Sequence, residues 1–573
     1  MRNIKKILYI LLDNNIYSLF LLLFLTFLNT ILEVIGIGLI IPILGIFVGQ
    51  NYERYFEFYP FLKNIPDSKI LLYMFITFNL IYLLKFLTSI FSILVRNKFY
   101  WGLYKNLSRK IFNNYINKDY LSHMTTHSSE KINTIRGEAN LFSFGVTSPI
   151  VDLIIDFILL FSICTFLLFY NIKLSFFVIV FFLFISFLWN QYYNKYLDDL
   201  GKKRETHAKE SIKEIQNGFG NFRETVIFGL RKLFSKRFEL HNKEFSSVGV
   251  KRDTIIQIPR YLLELLSVTG ISVILFVLIE TKLSLPEIMV LLGVFVFATV
   301  RMLPSVTKII RSIQTIKFNN VVVEKIYNEL YYFKNSEKKF EEKKSKKIDF
   351  KKLSLKNLNF NYPNSDNLIL KNIDLNILKG DKIGIIGETG SGKSTLINII
   401  SGLIKVQGEE FKVNDIVLDP PSIASWQSNI GYVPHDVFLL DETIGYNISL
   451  KDDYKTEEKK LIELLKRVEL LEFIEKLPLN LDMIVGEKGG KLSRGQTQRL
   501  GIARALYIEP SIIIFDEATS ALDVNTEKNI LKKLYKESEN LTIISISHRK
   551  SALEFCDKIF EINDGQLKEI VNN

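Results

Sequence analysis

The residues with the clearest chemical signature form a glycine-rich run, GIIGETGSGKST, at positions 384–395. It lies between a short apolar stretch and a helical run, and within it Gly387 and Gly392 enclose four residues before Lys393 and Ser394. Glycines let backbone N–H groups curl around a phosphate, the lysine reaches the phosphate oxygens, the serine ligates Mg2+, and the helix N-terminus adds its dipole. The spacing predicts a strand, a phosphate-binding loop and a helix. The residues predicted to contact nucleotide phosphate are Gly387, Glu388, Thr389, Gly390, Ser391, Gly392, Lys393, Ser394 and Thr395.

An acidic pair at the end of an apolar run complements this loop. Residues 511–515 read SIIIF and are followed by Asp516 and Glu517. The carboxyl end of a buried parallel strand is where acids reach a crevice. We therefore expect Asp516, with Ser394, to hold Mg2+ and Glu517 to polarise an attacking water. An acidic pair that merely ends a strand is plausible alone, but its coincidence with a phosphate loop favours hydrolysis of a nucleoside triphosphate.

A third motif resembles the signature of the ATP-binding cassette (ABC) proteins. Residues 492–496 read LSRGQ and lead into the stretch QRLGIARAL, and the resemblance extends over about 350–570. GTPases, kinases and helicases with a phosphate loop lack this motif. The resemblance implies that Ser493 and the N–H groups near Gly495 and Gln496 contact the γ-phosphate of ATP held by the opposite subunit. Two cassettes would then enclose two nucleotides.

Four further positions take their roles from the same resemblance. Tyr362 matches the aromatic residue that stacks on adenine, and His548 matches the histidine that senses the γ-phosphate. The run SALD, which ends at Asp523, matches the D-loop. Residues 485–489 (VGEKG) resemble a motif that communicates with the membrane loops in exporters. As isolated residues, Tyr362 and His548 would be assigned to the core or the surface, so their order and spacing give them these roles.

Two positions depart from the family pattern. His435 follows the sequence YVP where the family usually has glutamine, which there reaches Mg2+ and the attacking water. A neutral imidazole can accept a hydrogen bond or ligate a metal, so we expect His435 to close the site in its place. Arg494 replaces the commoner glycine of the signature, while Ser493 and Gly495 are retained.

The composition indicates two unlike parts. The 573 residues are 48% hydrophobic and 23% charged, with a mean hydropathy of +0.17, too apolar for one soluble domain and too charged for membrane throughout. The net charge of +12 lies largely in loops between apolar stretches and in a Lys-rich linker, so membrane topology explains it better than a nucleic-acid partner. Cys164 and Cys556 are the two cysteines, which excludes a disulfide framework and a thiolate zinc site.

The apolar residues are concentrated before about residue 305 and predict six membrane spans. Residues 14–32 and 34–52 are uncharged runs separated by Glu33, each long enough for one span. Because nothing near Glu33 breaks a helix, we predict one helix over 15–46, followed by a re-entrant or surface segment at 52–67. The other predicted spans are 70–95, 141–170, 174–193, 262–281 and 285–303.

The charge pattern predicts the topology. The segments 96–140 and 194–253 and the N-terminus are basic and are therefore expected on the cytoplasmic side. The N-terminus superficially resembles a secretory signal, but its apolar stretch is too long and lacks a small-residue cleavage site, so we expect a retained span. Six spans return the C-terminal half to the cytoplasm. The predicted organisation is an all-α transmembrane domain at 1–333, a charged linker at 334–347 and an α/β ATP-binding cassette domain at 348–573.

The order of spans before cassette resembles the type IV half-exporters, which implies a homodimer in the bacterial inner membrane. Within that group, the runs IPRYLLELL and RMLPSVTKII and the aromatic segment at 52–67 resemble the PglK-type flippases of lipid-linked oligosaccharides. That resemblance implies that Lys85, Arg260 and Arg301 guide a pyrophosphate and that 52–67 engages the lipid tail. From charge alone the reading stays open, because Glu264 could pair with Arg260, Lys85 could snorkel, and an aspartate at 152 or 156 could neutralise another cation.

The sequence thus predicts an ATP-driven flippase for polyprenyl-pyrophosphate-linked oligosaccharide, acting from the inner to the outer leaflet for protein glycosylation. An exporter of another lipid, a drug or a peptide shares every cassette motif. An ATP-gated channel or a nontransporting regulator would use the same pair of cassettes, although an intact Glu517 favours turnover.

The histidine at 435 gives the first testable prediction. If its neutral imidazole closes the site, ATP hydrolysis weakens in acid, because a protonated imidazole can neither accept a hydrogen bond nor ligate a metal, and His435→Gln removes that acid limb. The measurement is the ATPase rate as a function of pH in both proteins. An unchanged profile in the variant would contradict the role of the imidazole.

Overall fold

The computed structural model describes the chain apart from residues 1, 13–15, 48–66, 221, 280–284, 337–346, 364, 366, 407–409, 419, 538–539, 548, 550–552 and 571–573. Two predictions, the role of His548 and that of the segment 52–66, therefore lie outside the described residues. Contacts divide the chain into two compact units. The first comprises Met1–Lys118 and Met124–Asn335, and the second comprises Asp119–His123 and Ser336–Asn573.

Up to Ser336, the described part of the chain is mainly helical. Its helices are α1 Arg2–Leu12, α2 Ile16–Phe47, α3 Asp67–Ile116, α4 Tyr120–Thr125, α5 Ser128–Ile132, α6 Ser148–Tyr170, α7 Ile172–Gly220, α8 Phe222–Ile227, α9 Arg231–Ile279, α10 Leu285–Phe318 and α11 Asn320–Ser336. Two π-helical stretches, Asn133–Glu138 and Leu141–Thr147, lead into α6.

Six long helices of the described part, α2, α3, α6, α7, α9 and α10, carry most of the residues of the six predicted apolar runs. The run 141–170 begins in the π-helical stretch Leu141–Thr147, and the run 262–281 extends beyond the described end of α9 at Ile279. The prediction of one helix rather than two around Glu33 is confirmed, because α2 is continuous over 32 residues. Among the described residues, four helical stretches are long and apolar enough to cross a membrane by length and composition alone, and Phe20–Gly36 is a shorter apolar helix. The four are Leu72–Ile116, Leu141–Tyr170, Arg231–Phe276 and Glu287–Phe318.

Three helices are much longer than a bilayer is thick. Helix α3 has 50 residues, and α7 and α9 have 49 each. At about 1.5 Å per residue they extend over ~75 Å, whereas the hydrocarbon core is ~30 Å thick. Their basic halves, predicted as the loops 96–140 and 194–253, are thus mainly helical continuations of the apolar halves.

The first helix was missed by the sequence analysis. Helix α1 buries Ile7, Ile10 and Leu11 in a cluster with residues of α3 and α11, among them Tyr100 and Val322. The signal was present in the sequence, because these three positions recur at helical spacing behind the basic residues of the N-terminus. The much longer apolar run of α2 directly after it dominates the hydropathy pattern of this region.

The second unit contains two sheets. One has four strands in the order β2, β1, β4, β5, and the other has six in the order β10, β9, β3, β8, β7, β6. The strands are β1 Lys352–Phe360, β2 Leu370–Leu378, β3 Lys382–Gly387, β4 Phe411–Val413, β5 Ile416–Val417, β6 Ile430–Val433, β7 Ile512–Asp516, β8 Thr542–Ile546, β9 Lys558–Asn563 and β10 Gln566–Ile570. The α-helices are α12 Lys393–Ile400, α13 Pro420–Gln427, α14 Ile444–Ser449, α15 Glu458–Arg467, α16 Leu471–Glu475, α17 Arg494–Tyr507 and α18 Val524–Glu537.

The parallel part of the six-stranded sheet positions the motifs. Strands β3, β8, β7 and β6 are neighbours and run parallel. Their register pairs Ile385 and Asp516 with the same residue of β8, Ile546, while Val433 pairs with Phe515. All four strands therefore end at one edge of the sheet, and the loops that follow them meet there. The predicted order of an all-α region followed by an α/β domain is confirmed.

Candidate nucleotide-binding site

The glycine-rich loop leaves β3 at Gly387 and enters α12 at Lys393, as predicted. Its glycines are required by their surroundings. At Gly392 the φ angle is 110°, and a Cβ there would lie 2.9 Å from a methyl carbon of Leu370. At Gly387 a Cβ would lie 2.4 Å from the carbonyl oxygen of Ile562. The backbone of this loop is thus held close to its neighbours in a conformation that only glycine adopts without strain.

The loop presents donors with room for an anion. The Lys393 ammonium donates to the carbonyl oxygens of Gly387 and Glu388, at 2.6 and 2.8 Å. The Ser391 hydroxyl oxygen is buried and has no hydrogen-bond partner within the described part of the chain. An unsatisfied buried hydroxyl, a central ammonium and a helix N-terminus together fit the phosphates of a nucleotide. The residues present therefore suit the predicted ATP.

Tyr362 is tied to this loop from the side. Its hydroxyl oxygen lies 3.2 Å from the Thr395 hydroxyl oxygen in the first turn of α12, and its ring packs edge-on against Phe360, with 5.2 Å between the ring centroids. Tyr362 thus lies beside the phosphate loop. Its expected stacking on the adenine of a bound nucleotide stays a prediction.

The acidic pair stands at the end of β7. The Tyr432 hydroxyl, on the neighbouring strand β6, donates a 2.9 Å hydrogen bond to Asp516 Oδ2. Burial, and then the negative charge of Asp516, raise the pKa of Tyr432, so its hydroxyl stays protonated and remains a donor. Glu517 has a positive φ of 51°, and its N–H group donates to the Ile546 carbonyl oxygen at 3.0 Å. Tyr432 is a site residue that the sequence analysis missed, although the parallel pairing of β6 with β7 places it there.

His435 follows β6 at the same edge. Its side chain is 54% exposed, and Nδ1 lies 3.3 Å from an oxygen of the exposed Asp436 carboxylate. The imidazole is therefore free to turn toward a bound nucleotide. Its predicted role stays a prediction.

The signature motif forms the N-terminus of α17. Ser493 is the N-cap, and it exchanges two hydrogen bonds with Gln496: the Gln496 N–H donates to Ser493 Oγ at 3.3 Å, and the Ser493 N–H donates to Gln496 Oε1 at 2.8 Å. This capping box holds the first turn rigidly. Ser493 is exposed, and the Arg494 side chain replaces the expected glycine without breaking the cap.

The D-loop is held from two sides by residues that the sequence analysis did not single out. From α17, the Gln498 side chain donates to Ser520 Oγ at 3.3 Å and accepts from the Ala521 N–H at 3.0 Å. From the segment after β8, the Arg549 guanidinium donates to the carbonyl oxygens of Thr519, Ser520 and Leu522 and to the carboxylate of Glu527. Four acceptors on one guanidinium fix the course of this loop.

Asp523 closes the D-loop by capping the following helix. Its carboxylate accepts from the Thr526 N–H at 3.0 Å, and the hydrogen bonds from Thr526 hold the pKa of Asp523 below its usual value. The carboxylate therefore stays ionised at the start of α18, where a negative charge is favourable.

Two of the three predicted membrane cations come together in the helical unit. Lys85 Nζ contacts Glu33 Oε2, and Arg301 Nε lies 3.2 Å from Glu33 Oε1. Arg301 also donates to the Tyr82 hydroxyl at 3.1 Å. The two cations thus share one carboxylate, which the sequence analysis treated only as a separator of apolar runs. Arg260 is exposed on α9, and its guanidinium lies 6.0 Å from the Tyr261 ring centroid.

Lys85 and Arg301 line a pocket of about 490 Å3 between α2, α3, α6 and α10. Arg96 and Lys308 line it as well, and their partners are aspartates: Arg96 donates to Asp152 at 2.9 Å, and Lys308 lies 3.9 Å from Asp156. These aspartates were considered as neutralising partners for Lys85, Arg260 or Arg301, but they pair with Arg96 and Lys308 instead. The charged residues lining this pocket are Glu33, Lys85, Arg96, Asp156, Arg301 and Lys308.

Two family models match the chain. One describes the ABC transporter transmembrane region and matches residues 19–302, and the other describes the ABC transporter and matches residues 370–520. The chain belongs to the ABC transporter family. Its helical unit is the transmembrane region, and its cassette is the ATPase domain of this transporter.

Curated relatives and solved structures agree with this family. The chain is 40% identical over 219 residues to an ATP-dependent lipid A-core flippase of Pasteurella multocida, covering 38% of this chain and 37% of the relative. It is 28% identical over 372 residues to one of Pectobacterium atrosepticum, covering 64% and 62%. The chain thus spans less than two thirds of the length of either relative. A solved structure of a bacterial Atm1-family ABC exporter with ATP bound shares the fold, with a TM-score of 0.79 and 18% identity over 96% of this chain and 94% of that chain. The transporter is therefore a membrane protein that shares the fold of this exporter, and its cassette lies on the cytoplasmic side.

Arg549 provides a prediction for this transporter. Arg549→Ala removes the hydrogen bonds that hold the D-loop carbonyls. Each hydrogen bond to a charged group stabilises the folded arrangement by about 1.5–3 kcal/mol. If a part of this positioning energy is lost in the transition state, we expect the ATPase rate to fall about tenfold. ATP binding at the phosphate loop should change little, because Arg549 does not contact that loop. The measurements are steady-state hydrolysis and equilibrium binding of a fluorescent ATP analogue.

The matched control for this prediction is Arg549→Lys, which retains the charge but not the fork of donors. We expect its ATPase rate to lie between those of the wild type and the alanine variant. An alanine variant that hydrolyses ATP within twofold of the wild-type rate would contradict a positioning role for Arg549.

Proposed function

We propose that this transporter is one half of a homodimeric, ATP-driven flippase for a polyprenyl-pyrophosphate-linked oligosaccharide used in protein glycosylation. It would move this lipid from the inner to the outer leaflet of the bacterial inner membrane. The observation that carries the proposal is the pocket of about 490 Å3 in the transmembrane region, lined by four cations and two carboxylates. A pyrophosphate needs a cationic site of this kind, whereas an apolar drug does not.

The cost of the charges supports a functional pocket. An ionised side chain near the centre of a membrane-spanning helix costs at least about 2.5 kcal/mol on insertion scales. Four of the charges that line this cavity, Glu33, Lys85, Asp156 and Arg301, lie within predicted spans. Lys85 and Arg96 lie on α3, and Arg301 and Lys308 lie on α10. Arg301 and Lys308 are seven residues apart, ~10 Å along the helix. A phosphate group moving from the cytoplasmic side would meet Arg96 and Lys308 before Lys85 and Arg301.

Residues of the cassette divide the ATPase cycle between them. Lys393 exchanges its two loop carbonyls for phosphate oxygens, while Ser391 donates its unpartnered hydroxyl to the same group. Ser394 and Asp516 would hold Mg2+, which would neutralise charge on the phosphates. The Tyr432 hydroxyl orients the Asp516 carboxylate, and Glu517 accepts a proton from the attacking water. His435 and His548 complete the predicted site.

A second chain is needed to complete each nucleotide site. Ser493 is exposed at the N-terminus of α17, and its first turn is held by the capping box. In a homodimer this turn of one protomer would contact the γ-phosphate held by the Lys393 loop of the other. ATP binding would then close the two cassettes, and hydrolysis would release them, switching the transmembrane region between two states.

Transport of another anionic lipid is a second candidate, favoured by the names of the two relatives, both lipid A-core flippases. The basic pocket would bind the anionic group of either cargo. The two candidate cargoes therefore differ in their sugar and lipid parts and not in the charge that the pocket recognises. A channel or a nontransporting regulator would not need the intact Glu517.

Flipping in proteoliposomes tests the proposal. We expect purified protein to give ATP-dependent access of labelled polyprenyl-pyrophosphate oligosaccharide to the opposite leaflet. Arg301→Gln should lower that rate at least ~10-fold, since a charge-assisted contact to the anion is lost, while basal ATPase continues. Arg260→Gln should cause a smaller loss, because this side chain is exposed outside the pocket.

The matched control for cargo charge is the same assay with a neutral polyprenyl oligosaccharide, which should not be moved. ATP-dependent movement that is equal for both lipids, or that persists fully in Arg301→Gln, would contradict the anionic assignment. Movement of lipid A-core in place of the oligosaccharide would favour the second candidate.

A further inference from the structure

The carboxylate of Glu33 occupies the position expected for a ligand anion. It lies in the middle of α2 with 3% of its surface exposed, between Lys85 of α3 and Arg301 of α10. Although Glu33 Oε1 is 3.2 Å from Arg301 Nε, this oxygen is buried and accepts no hydrogen bond of good geometry from the described residues. The pair is thus held by charge, with unused hydrogen-bonding capacity on the acid.

Lys85 and Arg301 also contact Tyr82, which holds them in place independently of Glu33. The Tyr82 hydroxyl accepts a hydrogen bond from Arg301, and its ring centroid lies 5.6 Å from the Arg301 guanidinium carbon and 5.3 Å from Lys85 Nζ. The ring packs against Gly36, where a Cβ would lie 3.1 Å from it. Contacts of a cation with an aromatic face are attractive. Lys85 and Arg301 can therefore keep their places when the carboxylate moves.

We propose that Glu33 is an internal competitor for the anion site: the pyrophosphate of the cargo displaces the Glu33 carboxylate from Arg301 and Lys85. This inference rests on the proposed function, and it names Glu33 as the residue that sets the affinity of the pocket for the cargo pyrophosphate. Exchange of one anion for another avoids burying unpaired cations at any stage. It also keeps net binding weak enough for release, which a transport site requires.

The alternative is that Glu33 only neutralises the two cations so that the helices insert and pack. The two roles differ in one measurable respect. A competitor lowers the affinity for the anion, so its removal tightens binding and slows release. A purely structural acid has no such effect, and its removal weakens binding through loss of the packed site.

The test is equilibrium binding of polyprenyl pyrophosphate to the full-length protein in nanodiscs, followed by intrinsic fluorescence. We expect Glu33→Gln to lower the dissociation constant about tenfold, because a charged competitor is removed at nearly constant shape. We expect its cargo flipping rate to fall severalfold in the proteoliposome assay, as release becomes limiting. Glu264→Gln is the matched control: it removes an exposed acid of α9 that does not line the pocket and should leave the dissociation constant unchanged.

A second comparison covers the case in which Glu33→Gln fails to fold. Lys85→Met alone leaves Glu33 with Arg301, whereas Lys85→Met combined with Glu33→Gln removes one charge of each sign and leaves Arg301 on Tyr82. The double variant should again bind about tenfold more tightly than Lys85→Met. Equal or weaker binding in both comparisons would overturn the inference.

The outcomes separate this inference from the proposed function. Tight wild-type binding that Glu33→Gln does not change overturns the role of Glu33 and leaves the flippase proposal intact. Absence of binding in the wild type and in Glu33→Gln overturns both. Inorganic pyrophosphate is the second probe: a tightening seen for it and for the lipid supports recognition of the head group, and a tightening seen for inorganic pyrophosphate alone would overturn displacement by a lipid cargo.

Discussion

The parallel pairing of β3, β8, β7 and β6 is the constraint on which the nucleotide site depends. Because these neighbouring strands run in one direction, the phosphate loop, the Asp516–Glu517 pair and the segment of His435 emerge at the same edge of the sheet. A register shift of one residue between β6 and β7 would turn Tyr432 away from Asp516. The geometry of the site is therefore set by the backbone ladders of the strands that carry Tyr432 and Asp516.

A second network joins the sheet to the signature helix. Arg549, directly after β8, and Gln498, on α17, hold the same D-loop from opposite sides. In the proposed homodimer these two elements would belong to different nucleotide sites, since the signature of each chain would serve the phosphate loop of the other. A displacement of Arg549 at one nucleotide site would thus be transmitted to α17 through the D-loop, because the D-loop is bonded to both Arg549 and Gln498. The shared D-loop gives the two sites a physical route for acting in concert.

The motifs that could be predicted from the sequence are those whose geometry is local. The strand, glycine-rich loop and helix around Lys393 are specified within a dozen residues, and the continuity of α2 follows from the lack of a helix breaker near Glu33. The contacts between distant residues could not be predicted in this way. Glu33 contacts Arg301 although more than half of the sequence of the helical unit lies between them. Tyr432 contacts Asp516 only because β6 and β7 are neighbours in the sheet. From the sequence, Lys85 and Arg301 were expected to bind an anionic cargo. In the structure both pair with Glu33, which in the sequence only separates two apolar runs.

The most direct test of the central claim, that two copies of this chain enclose ATP between the phosphate loop of one and Ser493 of the other, is interchain disulfide formation. The background replaces Cys164 and Cys556 by alanine and Glu517 by glutamine to retain bound ATP, and the two introduced cysteines are Thr389→Cys and Ser493→Cys. With ATP and oxidant, the account predicts a covalent dimer when the two cysteines are on separate chains that are mixed before reconstitution, and none without nucleotide. Failure to form this dimer with ATP, while the protein still binds and hydrolyses ATP before Glu517 is replaced, would contradict the shared site.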